Sequence, residues 1–207
     1  DYNPNNRAQW NPKQARNRSV TDVFEPGSTF KPFTVSAALE AGIVKPTTVI
    51  STGAGLTLGP KTITDAHPSS QLTVAEIIQK SSNIGTAKMA LQLPPEQLWN
   101  FFNDLGFGTP PKTGFPGEAT RRLRPVKTWK PIEQATMAYG YGVSVSALQL
   151  ARAYTVFTND GVLLPVTFVK RESEAIGRQV ISPKTARAMA QMLETVTQTG
   201  GTALKGQ

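Results

Sequence analysis

The octapeptide Glu25-Pro26-Gly27-Ser28-Thr29-Phe30-Lys31-Pro32 leaves the backbone few choices. Pro26-Gly27 is a turn pair. It hands the chain to an apolar segment containing Phe33, Val35, Ala37, Ala38 and Leu39, whose spacing predicts a helix that stops near Gly42. Pro32 falls in the first turn, where a missing amide donor costs little. Ser28 and Lys31, three residues apart, therefore share a face, with the amine in reach of the hydroxyl. That is the geometry of a serine nucleophile with a built-in lysine base. The chemistry makes a demand on the lysine: at a free pKa near 10.4, only about one molecule in a few thousand is neutral at pH 7. Burial against apolar walls, or neighbouring cations, must lower that value. Taken alone, the pair is better read as a helix start followed by a solvated lysine, and other parts of the chain must overturn that reading.

Helix starts and stops punctuate the middle of the chain. Thr73-Val74-Ala75-Glu76 is a capping box that opens a short helix carrying Val74, Ile77 and Ile78. A second apolar run from Ile84 begins directly after Lys80-Ser81-Ser82-Asn83, so Ser81 and Asn83 fall at a corner between helices. Pro94-Pro95 opens a third helix, with Leu98, Trp99, Phe101, Phe102 and Leu105 as a core stripe, closed by Gly106 and Gly108. Further helices are expected from Ile132 to Met137, from the Ser146-Gln149 capping box to Phe157, and from Ser182-Pro183 to about Val196. Extended structure is expected toward the ends: residues 18–24, a small hairpin between 47–50 and 56–58, and residues 162–169. The stretch 109–131 is a loop rich in proline and glycine.

Composition removes several function classes. The 207 residues can bury one core or two lobes of one domain. There is no cysteine, hence no disulfide, thiolate metal site or cysteine nucleophile. The single histidine, His67, sits in a polar run that reads as an exposed loop, which argues against a Ser-His-Asp triad. No carboxylate cluster offers a metal site. The net charge of +8 is dispersed apart from Arg121-Arg122-Leu123-Arg124, and no nucleic-acid-binding motif accompanies it. No run of eighteen apolar residues is present.

Ser81-x-Asn83 supplies what a serine-lysine pair still needs: a hydroxyl to pass a proton to a leaving amine, and a carboxamide to align a peptide group. With Glu25-Pro26-Gly27-Ser28-Thr29-x-Lys31-Pro32, Gln79-Lys80-Ser81-Ser82-Asn83, Tyr139-Gly140-Tyr141-Gly142 and Leu148-Gln149-Leu150-Ala151 in this order, the chain resembles the penicillin-binding protein transpeptidases, most closely the class B, division-specific type. The resemblance implies a mixed α/β (α+β) fold, an antiparallel sheet with flanking helices beside an all-helical lobe, the active site between them. In that frame residues 1–24 are an extended part of the sheet lobe, 25–160 the mainly helical lobe and 161–207 a return to the sheet lobe. It implies a peptidoglycan D,D-transpeptidase of the periplasm, membrane-held through an N-terminal helix that this chain lacks. No cofactor or nucleic acid is involved. Partners would be stem peptides ending in D-Ala-D-Ala, beta-lactam antibiotics and cell-division proteins. Ser28 would be the acylated nucleophile, Lys31 its base, Ser81 the proton relay and Asn83 the ligand of the stem-peptide amide, with the Ser28 backbone amide as half of an oxyanion hole.

One family feature is out of place. The Lys-Thr/Ser-Gly strand is expected beyond the last helix, so a chain ending at Gly206-Gln207 would be incomplete and weakly active. Lys112-Thr113-Gly114 matches literally but sits in the proline-rich loop, where no core strand runs, and is read as coincidence. Serine beta-lactamases use the same first two motifs with an added glutamate. Glu96 comes too soon after Asn83 to play it, and Glu118 lacks an asparagine four residues on, so both read as structural. A D,D-carboxypeptidase or a non-catalytic penicillin-binding sensor completes the alternatives.

Overall fold

In the computed structural model, which describes residues 3, 5–12, 16–119 and 123–206, a single buried helix organises the chain. This helix, α2 (Lys31–Glu40), follows a 3-10 turn over Gly27–Phe30, and every residue from Lys31 to Ala38 is buried. A helix buried on all sides must be enclosed on all sides by other elements. Around it pack α3 (Val74–Gln79), α4 (Asn83–Leu91), α5 (Pro95–Asp104) and α8 (Pro183–Glu194). Two more helices, α6 (Pro131–Met137) and α7 (Ala147–Tyr154), complete the helical body, α6 lying against α4.

Aromatic rings fill the centre. Phe30 meets Phe102 and Phe107 at centroid separations of 4.7 and 4.8 Å, and Phe33 meets Phe107, Tyr154 and Phe157 at 5.2, 5.0 and 5.5 Å. These spacings are those of favourable aromatic pairs. The α5 stripe is thus core, as its periodicity implies. Gln134 is buried and donates to the carbonyls of Ala90 and Leu93, which satisfies the end of α4 from the neighbouring helix.

The helix starts read from the sequence are present with their caps. Thr73 and Glu76 answer each other's amides, as do Ser146 and Gln149, and Ser182 accepts from the amide of Thr185. The extended segments differ from expectation. Strand β1 (Val49–Ser51) pairs with β4 (Gln71–Thr73), while β2 (Leu56–Leu58) pairs with β3 (Lys61–Ile63). Segments 47–50 and 56–58 therefore do not form a hairpin with each other: the Gly59-Pro60 turn closes β2 onto β3 first. Extended pairing in 162–169 is confined to β5 (Val162–Leu163), against β6 (Arg178–Gln179).

Residues 18–24 also depart from the expected extended run. Arg18–Thr21 wind into a single helical turn, α1, because the Asn17 carbonyl accepts from the amides of both Val20 and Thr21 and from the Thr21 hydroxyl, and the turn buries Val20 completely. The chain is extended again from Asp22, and Phe24 exchanges backbone hydrogen bonds with Val145. The described strands form three separate two-stranded antiparallel ladders, giving a mixed fold of helices and small antiparallel sheets. Arg121 and Arg122 of the basic cluster lie outside the described residues.

Candidate active site

The turn before α2 is clamped from three directions. Gly27 has φ +56°, a conformation open to glycine, and its amide donates to the Gly140 carbonyl at 3.3 Å. Gly140 itself (φ +87°) fits so closely that a Cβ there would sit 2.2 Å from the Gly27 carbonyl oxygen. The Glu25 carboxylate accepts from the amide of Gly142 at 2.8 Å, and the Tyr154 hydroxyl donates to the Thr29 carbonyl at 2.7 Å. Thr29 closes the turn locally by donating its hydroxyl to Pro26. Ser28 is thereby fixed at an exposed position, while Lys31, three residues on, is 2% exposed.

The corner between α3 and α4 supplies the other half. Ser81 takes a left-handed backbone, φ +58°, an uncommon state for a residue with a side chain that costs on the order of 1 to 3 kcal/mol. This turns both its carbonyl and its hydroxyl toward the same amine: Lys31 Nζ donates to Ser81 O at 2.5 Å and Ser81 Oγ at 2.8 Å. Ser82 caps α4 through the amide of Gly85. Asp65 holds the corner down, accepting from the Ser82 hydroxyl (2.5 Å) and from the amides of Asn83 (2.6 Å) and Ile84 (2.9 Å). A carboxylate suits the start of a nine-residue helix, where amides are unpaired and the dipole is positive.

Ser28, Lys31 and Ser81 line one cavity of about 190 Å³, with Tyr154 and the apolar side chains of Ile78, Leu193 and Val196 around them. Among the described residues Ser28 Oγ has no hydrogen-bond partner; Lys31 is bound to Ser81 instead. Asn83 is not in the lining of this cavity: its carboxamide donates to the Thr64 carbonyl at 3.0 Å. Burial pushes the Lys31 ammonium from its ordinary 10.5 down to about 8, against the opposing pull of the Asp65 charge. At pH 7 about one lysine in ten is then neutral, against one in a few thousand for a free side chain.

The remaining candidates lie elsewhere. His67 is exposed and lines a different cavity, with Lys80 and the 200–202 segment. Glu96 is exposed in the first turn of α5. Glu118 accepts from the amides of Lys112 and Thr113 and from the Thr113 hydroxyl, so it closes its own loop. Lys112-Thr113-Gly114 belongs to that loop, which carries no strand. Among the described residues no group of three or more His, Asp or Glu side chains is placed to hold a metal ion, and no helix is long and apolar enough to cross a membrane.

Three contacts join residues that the sequence does not place together, although Glu25 and Gly140 stand within its motifs and only Asp65 does not. Asp65 is seventeen residues from Ser82, Glu25 is 117 from Gly142, and Gly140 meets Gly27 only in three dimensions. The repeated glycines of Tyr139-Gly140-Tyr141-Gly142 were the one available hint, since glycine pairs mark close backbone approach.

The chain as a whole has known relatives. The model of the penicillin-binding protein transpeptidase domain matches residues 1–207. The chain is 47% identical to the probable peptidoglycan D,D-transpeptidase PenA of Neisseria flavescens over 99% of this chain and 51% of that protein. It is 38% identical to the peptidoglycan D,D-transpeptidase FtsI of Escherichia coli K12 over 99% of this chain and 34% of that one. The chain thus spans about half the length, or less, of these relatives. The apo transpeptidase domain of Burkholderia pseudomallei penicillin-binding protein 3 superposes with a TM-score of 0.87 at 53% identity, over 90% of this chain and 57% of that one. The chain belongs to the penicillin-binding protein transpeptidase domain family.

Proposed function

We propose that this chain carries out serine acyl transfer in a peptidoglycan D,D-transpeptidase, cross-linking stem peptides that end in D-Ala-D-Ala, and that beta-lactams acylate it as mimics of that dipeptide. Ser28 attacks the penultimate D-alanyl carbonyl; its hydroxyl proton passes to the neutral amine of Lys31 as the Cα-linked carbonyl becomes tetrahedral. Collapse breaks the C–N bond to the terminal D-alanine, whose nitrogen takes up the proton through Ser81. An acceptor amine then attacks the Ser28 ester, losing its proton by the reverse route and restoring the serine. A neutral lysine has two N–H groups, both matched by the oxygens of Ser81, which leaves its lone pair for the serine proton. The amide of Ser28 contributes to the oxyanion hole, and Asn83, released from Thr64, binds the stem-peptide amide.

The observation that carries this reading is a lysine buried to 2% exposure, lowered to about 8, and hydrogen-bonded to Ser81 in a cavity that Ser28 also lines. Apolar burial is how a protein makes a lysine a base near neutral pH. The family resemblance supports a septal, periplasmic role, with division proteins as partners of the complete protein. The test uses the protein expressed from its whole gene, a stem peptide ending in D-Ala-D-Ala and a D-amino acid acceptor. Release of D-alanine with formation of the transfer product, both blocked by benzylpenicillin, is the expected result. Hydrolysis without transfer would make the protein a carboxypeptidase, and rapid turnover of a chromogenic cephalosporin would make it a beta-lactamase; either outcome refutes the proposal.

A further inference from the structure

A second cavity, of about 300 Å³, lies between the end of α5, α7 and the β5 edge and shares no lining residue with the Ser28 cavity. Its volume is at the lower end of the usual range for small-molecule sites. Three cations line it, Lys112, Arg152 and Arg178, and no carboxylate does. Arg178 is neutralised from outside the lining by Asp104, which accepts from one guanidinium nitrogen through its side chain and from the other through its backbone carbonyl.

Arg152 is different. Its Nε donates to the Leu164 carbonyl at 2.8 Å, which fixes the plane of the guanidinium. Among the described residues it has no carboxylate within 4 Å, and its four terminal N–H groups donate to nothing. They are not sealed in the core either, since no described side-chain nitrogen or oxygen is both buried and without a partner. The unspent donors therefore reach solvent, and Arg152 lines the cavity. Partial burial and the charge of Arg178 both disfavour the protonated state of Arg152, the first more than the second. A guanidinium keeps its charge regardless, so the site holds an uncompensated cation.

Lys112 adds a third feature. It takes φ +57°, a conformation that non-glycine residues rarely adopt, enforced because its amide and that of Thr113 are both pinned to Glu118. The Glu118 carboxylate is thus spent on the turn that presents this lysine. A planar guanidinium with unspent donors beside an ammonium is a recognition set for a carboxylate or phosphate oxyanion.

We propose that the cavity between Arg152, Arg178 and Lys112 is a second ligand site, binding the carboxylate or phosphate group of a small anionic molecule, separate from the acyl-transfer centre. The inference does not depend on the roles given to Ser28 and Lys31. The test is thermal unfolding of the protein expressed from its whole gene, with inorganic phosphate or acetate replacing chloride at constant ionic strength. A bound anion raises the midpoint logarithmically with concentration over its Kd. General salting effects are common to wild type and variants and cancel in the comparison. We expect a saturating rise in wild type, about three- to fivefold weaker affinity in Lys112→Gln and loss of the effect in Arg152→Met. A response to phosphate alone identifies a phosphate ligand and a response to acetate alone a carboxylate, and either supports the site. Equal responses in wild type and Lys112→Gln, or no response in wild type, overturn it, even where Arg152→Met fails to fold.

Discussion

Replacing Asp65 by asparagine removes one negative charge at almost constant volume, and the structure assigns it two separable effects. The first is on the corner. The carboxylate accepts three hydrogen bonds at the start of α4, two from backbone amides and one from the Ser82 hydroxyl. A carboxamide oxygen still serves the amides as a neutral acceptor, but its NH₂ group faces a hydroxyl that was donating. Weakening charge-assisted bonds and losing an anion at a helix N-terminus together cost about 1 to 3 kcal/mol, which lowers the thermal midpoint and loosens the Ser81–Lys31 contact.

The second effect is on Lys31, whose proton affinity the Asp65 charge raises against the larger influence of burial. Without that charge Lys31 deprotonates below about 8. The proposed mechanism draws on the neutral amine, so it expects the rising acid limb of the acylation rate to move to lower pH while its plateau falls. Stopped-flow acylation by a chromogenic cephalosporin between pH 5 and about 9.5 measures both. An acid limb that stays in place or moves to higher pH would refute the electrostatic reasoning. An unchanged plateau would refute the claim that Asp65 holds the corner.

Three further outcomes follow from the same geometry. Because Lys31 titrates near 8 in the folded protein and at its ordinary 10.5 unfolded, the unfolded chain binds more protons between those values. Stability from this residue is therefore lowest below pH 8 and rises with pH across that window by up to about 3 kcal/mol; Lys31→Met should lose both acylation and that rise, read by denaturant unfolding at neutral and alkaline pH. Gly140→Ala drives a methyl group into the Gly27 carbonyl at a positive φ, and should slow acylation at least tenfold and cost about 2 kcal/mol or more, read by penicillin-labelling rate and thermal midpoint. Tyr154→Phe removes the donor to the Thr29 carbonyl between Ser28 and Lys31, and should cost about 1 kcal/mol and slow acylation without moving its pH limb.

What the sequence disclosed is what acts over one or two turns. The caps at Thr73, Ser146 and Ser182, the stop after Leu105 and the shared face of Ser28 and Lys31 all rest on neighbours three or four residues apart. The strand pairings were hidden for the opposite reason. Residues 49–51 are as compatible with 56–58 as with 71–73, and only the turn at Gly59-Pro60 decides the partner. The single turn of α1 was hidden because a burst of alternating residues outweighed one carbonyl, that of Asn17, able to accept three bonds. At the site, the lysine that must lose its charge was visible as a requirement, but not what supplies it. Its walls come from Ile78, Leu193 and Val196, on elements more than a hundred residues apart, and the opposing charge comes from Asp65 in a loop that read as solvent-exposed.

The account stands most directly on which oxygen forms the ester. Mass spectrometry of proteolytic peptides after benzylpenicillin treatment of the protein expressed from its whole gene, in wild type and Ser28→Ala, locates it. The expected result is one adduct on the peptide containing Ser28 and none in the variant, with folding unchanged by circular dichroism. An adduct on any other residue, or one that persists in Ser28→Ala, would contradict the mechanism.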